Sequence, residues 1–279
     1  MDEHPPTAPE PARAPGTEPA TRQVRPGRAP GESAARIARR RAREELLGEI
    51  VEVARRQLAT EGAAALSLRA VARELGMVSS AIYRYVPSRD DLLTLLIVDA
   101  YNALGSAAER AHARVEPADL TGRLAAVCVA VRRWALRNPH EYALVYGSPV
   151  PGYVAPEVTI GPATRVAVLL GGIAAATVPE PSGGHAARPR PASSLDPAVS
   201  RAIAPVRAAF PDHVPEEVVV RWLMAWTYLF GAISFELFGH RHNVVAASMA
   251  ARDAFFAEEV SRLAALTLGA GLPGPAGRP

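Results

Sequence analysis

Residues 79–84 place hydroxyl, phenol and guanidinium groups within six positions of one another. At about 100° per residue, Ser80, Tyr83 and Arg84 fall on one side of a helix. Hydroxyls and phenols donate to phosphates or base edges, and a guanidinium binds guanine through two hydrogen bonds or holds a phosphate. The spacing therefore predicts a DNA-contacting surface, which Ser79 and Ala81 flank.

Three predicted helices would position this surface. Apolar residues recur on one face of residues 43–60, Ser67 is a good N-cap for a second, short helix, and Gly76 ends that helix. A third helix is predicted from residue 79 to residue 86. Two short helices joined by a tight turn, after a longer helix, form the geometry that places the last helix in a DNA major groove.

The same angular argument assigns other residues of these helices. It predicts that Val78, Ile82 and Val86 face the core beneath the DNA-contacting side. At the start of the second helix, we expect Ser67 and Arg69 to contact backbone phosphate, where the positive end of the helix favours an anion. The Ser67 side chain serves as an N-cap whether or not it also touches DNA.

Charge is concentrated near the N-terminus. The chain has no lysine and a net charge of +3, whereas residues 36–89 hold eleven arginines against six glutamates, or +5. This excess is typical of a phosphate-binding module. The arginine run at residues 36–43 has two interpretations, a solvated helix start or a flexible arm that reaches DNA.

The remainder is predicted to be all-α, because no strand pattern competes. Pro87 breaks the chain, and Ser88 with Asp91 forms a capping box for a long helix to about residue 113. Further helices are predicted at residues 118–137, 140–146, 157–177, 197–210, 216–238 and 245–266. The predicted organisation is a disordered tail (1–35), a helix-turn-helix domain (36–87), a helical effector-binding and dimerisation domain (88–268) with a mobile loop at 179–196, and a disordered tail (269–279).

Three segments together resemble the helix-turn-helix signature of TetR-family regulators. They are LRAVARELG at 68–76, MVSSAIYRYV at 77–86 and SRDDLL at 88–93. The resemblance implies that Tyr83, Tyr85 and Arg89 face phosphates and that Arg84 and Ser80 lie towards bases, although the angular argument puts Tyr85 nearer the core. Family members commonly have a capping serine where Val78 stands, so Ser79 is the candidate for that role.

The C-terminal part resembles one TetR subgroup more loosely. Residues 138–149 are similar to a segment of a subgroup that carries a Trp and a His-Gly pair, but here Trp226 is followed by Phe230-Gly231, so the histidine is absent. The predicted helix 216–238 is apolar nearly all round, which favours burial against both its own subunit and a partner copy, together with residues 245–266. Four aromatic residues are predicted either to wall a small-molecule pocket or to pack as ordinary core, namely Trp134, Tyr142, Tyr146 and Trp226.

Several function classes find no support in the sequence. Cys128 is the single cysteine, so no intrachain disulfide can form, and a reduced cytoplasmic setting is expected. The most apolar stretch, residues 166–178, is shorter than the roughly 20 residues that span a bilayer. His240 and His242 fall on different faces of a helix, which disfavours a metal site, and no catalytic or cofactor-binding arrangement is recognised. We expect no enzyme activity, metal or cofactor.

These observations predict a cytoplasmic homodimer that binds a palindromic operator, with recognition helices roughly 34–36 Å apart. The predicted protein represses until a small apolar or amphipathic effector binds between the helix that starts at Ser88 and the C-terminal bundle. One alternative is a helical enzyme or carrier with a basic docking arm. Another is a DNA-binding dimer that takes no ligand and has a filled C-terminal core.

Overall fold

A computed structural model describes residues 34–180 and 195–269, and the regular secondary structure in these residues is helical. The chain divides into two compact units, residues 1–42 and 43–279. Within the first unit, residues 34–42 form the exposed N-terminal part of helix α1. All other described elements belong to the second unit. The predicted tails lie outside the described residues except at their inner ends, as does most of the loop predicted at 179–196.

Ten α-helices are present in the described residues, with 3-10 turns at Ala63–Ala65 and Glu157–Thr159. The helices are α1 (Ala34–Glu61), α2 (Leu68–Glu74), α3 (Ser79–Ile82), α4 (Arg89–His112), α5 (Leu120–Arg137), α6 (Pro139–Tyr146), α7 (Ile160–Ala175), α8 (Pro197–Arg207), α9 (Glu216–Leu237) and α10 (Met249–Leu268).

Local sequence signals account for the ends of α2 and α4. Ser67 Oγ accepts a hydrogen bond from the backbone N–H of Ala70 at 3.4 Å. Ser88 Oγ accepts one from the N–H of Asp91 at 3.1 Å and donates to its carboxylate at 2.6 Å. Both serines therefore cap their helices as predicted, because each satisfies an N–H that the first helical turn leaves without a partner.

The tight turn between α2 and α3 depends on Gly76. This glycine has a φ of +66°, in the left-handed region, and two carbonyls at the end of α2 accept hydrogen bonds from the turn. The N–H of Met77 donates to Ala72 O at 2.8 Å, and the N–H of Gly76 donates to Arg73 O at 3.2 Å. This is the arrangement in which glycine commonly ends a helix.

Five of the predicted helices differ by three or more residues at one end from those observed. The helix predicted at 157–177 is a 3-10 turn followed by α7, the one predicted at 197–210 ends at Arg207, and the one predicted at 245–266 begins at Met249, where Ser248 caps it. The other two belong to the DNA-binding part.

Helix α1 begins at Ala34 instead of residue 43. Residues 34 and 35, which lie in the predicted tail, are therefore helical. The arginine run at residues 36–43 is also helical and is not an irregular arm. Helix α3 ends at Ile82 instead of residue 86. The backbone then tightens, since the N–H groups of Arg84 and Tyr85 donate to Ala81 O and Ile82 O, three residues back, as in a 3-10 turn.

The second unit contains two hydrophobic clusters. The smaller one joins α1, α2, α3 and the start of α4, and Ile50, Val71, Ile82 and Leu93 are fully buried in it. The larger one extends from Leu104 of α4 to α10. Helix α4 contributes to both clusters, so it is a rigid connection between the two parts of the core.

Helix α9 packs against α5 and α7, the two long helices that contact α4. Helix α4 packs against α5 and α7, while α9 contacts α5, α7, α8 and α10. A buried ion pair locks part of this arrangement, because Arg132 of α5 donates twice to Glu236 of α9, at 2.7 Å each, and once to Asp253 of α10. Two segments in the described residues, Glu157–Ala175 and Glu216–Leu237, are long and apolar enough to cross a membrane, a property that core helices of soluble proteins share.

Candidate nucleic-acid interface and cavity

The structure presents a polar surface on α3 above an apolar anchor. Ser79, Ser80 and Arg84 are exposed, Tyr83 is 43% exposed, and Ala81 is half-buried beside them. The anchor beneath is Ile82 with Val86, both fully buried. Since the exposed groups include two hydroxyls, a phenol and a guanidinium, the surface can donate to phosphates and to base edges.

Val78 does not join that anchor. Its side chain is 71% exposed, so the prediction that it faces the core is wrong. The residue occupies the N-cap position with an extended backbone, φ −65° and ψ 136°, where the helical angle of 100° per residue does not apply. It makes no side-chain cap, and Ser79 lies within the helix instead of capping it, so the expected transfer of the cap to Ser79 is also wrong.

The two residues predicted at the start of α2 are placed differently from each other. Arg69 is exposed in the first turn of α2. Ser67 is half-buried, its hydroxyl accepts from Ala70, and its N–H donates to Gln57 Oε1 at 3.5 Å. The capping contact fixes Ser67, whereas Arg69 remains accessible to a phosphate.

Tyr85 and Arg89 make contacts within the protein. Tyr85 is half-buried against the smaller cluster, with Arg43 Cζ 5.3 Å from its ring centroid, as the angular argument expects. Arg89 donates to the carbonyl oxygens of Ala63 at 2.8 Å and Ala64 at 3.3 Å. Arg89 thereby ties the start of α4 to the turn that precedes α2.

The four aromatic residues predicted as pocket walls lie in or against the larger cluster. Tyr142 is 0% exposed, and its hydroxyl donates to Phe230 O at 3.0 Å and lies 2.9 Å from Ser234 Oγ. Burial raises the pKa of Tyr142 to about 12, and the Ser234 hydrogen bond opposes that rise. This phenol is therefore a satisfied core group, because both of its hydrogen-bonding functions are used inside the protein.

The other three surround the same region. Tyr146 stacks on Phe230 with centroids 4.1 Å apart, and Trp226 meets Phe230 edge-on at 6.3 Å. Burial also raises the pKa of Tyr146. Trp134 is half-buried against the cluster. The ring contacts of Tyr142, Tyr146 and Trp226 favour the core interpretation that the sequence left open.

A cavity of about 420 Å³ lies beside this aromatic cluster. It is bounded by α4, α6, the segment that follows α6, and α7. Its lining residues are Ile97, Tyr101, Leu144, Val145, Pro149, Val150, Tyr153, Ala155, Thr159, Ile160, Ala163 and Thr164. The sequence reasoning missed Tyr101 and Tyr153, since neither carries a local pattern that separates it from an ordinary helix or loop tyrosine.

Two tyrosine hydrogen bonds frame the cavity. Tyr101 of α4 donates to Val145 O of α6 at 3.2 Å, and burial raises the pKa of its phenol. The hydroxyls of Thr94 and Tyr153 lie 2.9 Å apart. Three cavity residues, Leu144, Val150 and Tyr153, also pack against the smaller cluster, so the cavity wall touches the core that supports α3.

Exposed apolar side chains cover one side of α9 and α10. Met224, Tyr228, Phe255 and Leu266 are each exposed by 40% or more and line a shallow groove between the two helices. The groove carries a fixed polar group, since Tyr228 donates to Glu259 at 2.7 Å and the Arg241 guanidinium binds the same carboxylate. We name this surface, defined by those four exposed residues, the α9–α10 face.

Comparisons with known proteins agree with this geometry. Residues 50–96 match the family described as bacterial regulatory proteins, tetR family. Residues 124–263 match the tetracyclin repressor-like C-terminal domain. The first match covers the end of α1 through the first turns of α4, and the second covers most of the larger cluster.

Curated relatives and a solved structure extend these matches. The chain is 45% identical over 207 residues to the HTH-type transcriptional regulators Rv1816 of Mycobacterium tuberculosis and Mb1846 of Mycobacterium bovis, covering 72% of this chain and 84% of each relative. It is similar to the crystal structure of a regulatory protein, SCO4313, with 32% identity and a TM-score of 0.64, covering 80% of this chain and 97% of the other.

Proposed function

The chain belongs to the TetR family of DNA-binding transcriptional regulators, a non-enzymatic class, and we propose that it is a cytoplasmic repressor released from its operator by a small molecule. The observation that carries this proposal is the exposed polar side of α3, held by buried Ile82 and Val86. The two hydrophobic clusters support a division near residue 87 between a DNA-binding and an effector-binding domain.

The proposed DNA contacts divide into two kinds. Ser80 and Arg84 face base edges, while Tyr83 and Arg69 hold phosphates. All four are accessible; the first three lie on α3 or directly after it, and Arg69 lies in the first turn of α2. Ser79 and Ala81 border the groove. Tyr85 and Arg89 act indirectly, through the contacts that fix the recognition surface, in addition to any phosphate they reach.

Dimerisation is proposed through the α9–α10 face. Exposed apolar side chains on two adjacent helices fit a four-helix interface with a second copy of this chain, in which each copy presents the same surface. A dimer supplies two α3 helices related by a two-fold axis. The operator is accordingly proposed to be palindromic, with half-sites roughly 34–36 Å apart.

The lining of the cavity indicates the chemistry of the effector. Every lining residue is uncharged, most are apolar, and hydroxyl groups come from Tyr101, Tyr153, Thr159 and Thr164. A charged group that is buried against this lining would lose its hydration without gaining an opposite charge, which is costly. We therefore expect a neutral, largely apolar molecule that carries one or two hydrogen-bonding groups.

Release follows from the position of α4. The cavity lies against Ile97 and Tyr101 of α4, and only residues 83–88 connect α3 to the start of that helix. An occupant that favours a shifted α4 would change the separation of the two recognition helices and lower operator affinity.

Selection from random-sequence duplexes tests the DNA-binding part of the proposal. The full chain should enrich a palindrome and bind it as two copies per duplex. A thermal-shift screen of neutral and charged small molecules should then find stabilisers among the neutral ones, and those should release the selected operator. Enrichment of no sequence would contradict the repressor, and neutral stabilisers that leave operator affinity unchanged would contradict release.

A further inference from the structure

Arg55 connects the DNA-binding helices to both α4 and α6. From α1, its guanidinium donates to Asp99 of α4 at 2.5 Å, and its Nε lies 3.1 Å from Glu141 Oε1 in the first turn of α6. Glu52, one turn earlier on α1, binds the same guanidinium at 2.5 Å. One side chain thus holds three helices that are far apart in sequence.

The bond to Glu141 is sheltered from water. The Glu141 side chain is 12% exposed and that of Arg55 is 30% exposed. Opposite charges attract more strongly where water is excluded, and an arginine fork can serve several carboxylates in a fixed geometry. The position of α6 is therefore coupled electrostatically to that of α1.

Helix α6 also forms a wall of the cavity. Leu144 and Val145 lie three and four residues after Glu141, about one turn along the same helix, and both line the cavity. Tyr101 binds the carbonyl oxygen of Val145. Because α6 has eight residues in two turns, it moves as a unit, and a molecule that displaces Leu144 or Val145 displaces Glu141 as well.

We propose that the Arg55–Glu141 ion pair transmits occupancy of the cavity to the DNA-binding helices, which makes Arg55 a positioning residue for operator binding. This inference rests on the proposed effector site and deepens it. In the empty protein the pair holds α1 against α6 in the arrangement that binds DNA. Displacement of α6 separates the two charged groups and removes the link between α1 and α6, which leaves Arg55 held to α4 by Asp99 alone.

A cavity-filling substitution can stand in for the unidentified effector. Ala163 of α7 lines the cavity, and Ala163→Phe would fill part of it. Operator affinity of the full chain is measured by fluorescence anisotropy for Ala163→Phe, Glu141→Gln and the double variant. We expect Ala163→Phe and Glu141→Gln each to weaken operator binding on the order of tenfold. The double variant should bind within about twofold of whichever single variant binds less tightly, because both substitutions break the same connection.

Glu52→Gln is the matched control. Glu52 and Arg55 lie on the same helix, so this substitution removes a carboxylate from the guanidinium without breaking a contact between helices. The losses of operator affinity caused by Glu52→Gln and Ala163→Phe should therefore multiply in a variant that carries both. Thermal unfolding of each variant checks folding, and Ala163→Leu replaces the phenylalanine variant if that protein is unfolded.

The outcomes separate this inference from the function on which it rests. If the losses of operator affinity caused by Ala163→Phe and Glu141→Gln multiplied in the double variant, the role of the ion pair would be overturned. The proposed repressor function and effector site would still stand. An unchanged operator affinity in the folded cavity-filling variant, Ala163→Phe or its replacement Ala163→Leu, would overturn the effector site and this inference together.

Discussion

The proposed recognition surface on and around α3 and the cavity beside α4 are assembled from the chain in different ways. Every residue of the recognition surface lies within residues 67–89, and its supporting turn is closed by bonds between near neighbours. The cavity combines α4, α6 and α7, so its opposing walls are up to 67 residues apart. Local signals therefore determine the first site, whereas the packing of the whole C-terminal domain determines the second.

Stability and DNA binding should accordingly respond to different substitutions. Loss of a buried interhelical contact should unfold the cavity domain, and loss of an exposed group on α3 should weaken DNA binding in a folded protein.

The largest effect is expected at the buried ion pair that joins α5 to α9. Arg132→Ala would leave Glu236, whose side chain is 7% exposed, without its partner, at a cost of about 3–5 kcal/mol in the free energy of unfolding. Urea unfolding followed by circular dichroism measures the loss. Arg262→Ala, which removes an exposed pair with Glu258, should cost below about 0.5 kcal/mol. Equal costs for the two variants would contradict the assigned role of Arg132.

On the recognition surface, Arg84→Ala should change DNA binding alone. Operator binding should weaken by about 1–3 kcal/mol with relaxed selectivity at one base position, since a base-reading guanidinium is lost. The unfolding midpoint should stay unchanged, because the side chain is exposed. Binding to a panel of single-base operator variants makes the measurement. A loss of equal size across all sequences would instead make Arg84 a phosphate contact.

Two tyrosines, one in the core and one on the proposed recognition surface, test whether stability and DNA binding depend on different residues. Tyr142→Phe removes the hydrogen bond to Phe230 O and should lower the free energy of unfolding by about 1–2 kcal/mol. Tyr83→Phe removes an exposed phenol and should weaken operator binding without changing stability. Chemical denaturation and operator titration are performed on both proteins. If Tyr83→Phe destabilised the fold and Tyr142→Phe did not, the assignment of surface and core would be reversed.

Gly76 links the two properties, since the turn it permits sets the angle of α3. Gly76→Ala places a Cβ at a φ of +66°, which should cost about 1 kcal/mol of stability although the space around the position is open. Operator affinity should fall as well, because the turn sets the angle of α3. Gly48→Ala, on an open helical position of α1, is the control and should stabilise the protein slightly. An unchanged stability of Gly76→Ala would show that the turn tolerates another backbone conformation.

The smallest expected effect is a gain. Val78 occupies the N-cap of α3 without a side-chain hydrogen bond, so Val78→Ser should stabilise the protein by about 0.5–1 kcal/mol. Thermal unfolding detects the change, and Val78→Ala, which supplies no cap, is the control. Similar midpoints for the two variants would mean that the cap contributes nothing at this position.

The sequence predicted the caps and the turn of the DNA-binding part correctly because their signals are local. Ser67, Gly76 and Ser88 each act through hydrogen bonds within about four residues. Val78 was misassigned because the angular argument extends helical geometry one residue beyond the helix. Helix α3 is shorter than predicted because the chain after Ile82 forms bonds to residues three positions back, which the periodicity of apolar residues does not encode.

The cavity could not be predicted in the same way. Tyr142, Tyr146, Trp134 and Trp226 have the residue types of a pocket, yet their partners are chosen by packing between distant helices, as in the bond from Tyr142 to Phe230 O. Tyr101 and Tyr153 frame the cavity because α4 and the segment after α6 meet in space. The Arg55 ion pair was missed for the same reason, since its carboxylate partners on α4 and α6 lie 44 and 86 residues away.

The most direct test of the central claim is a titration of the full chain against a DNA fragment from its own upstream region, at several salt concentrations and with competitor DNA. The account predicts tight, sequence-specific binding whose affinity falls steeply with salt, and a loss of that specificity in Arg84→Ala. The account would be contradicted if competitor DNA abolished binding both to this fragment and to a palindrome selected from random sequences.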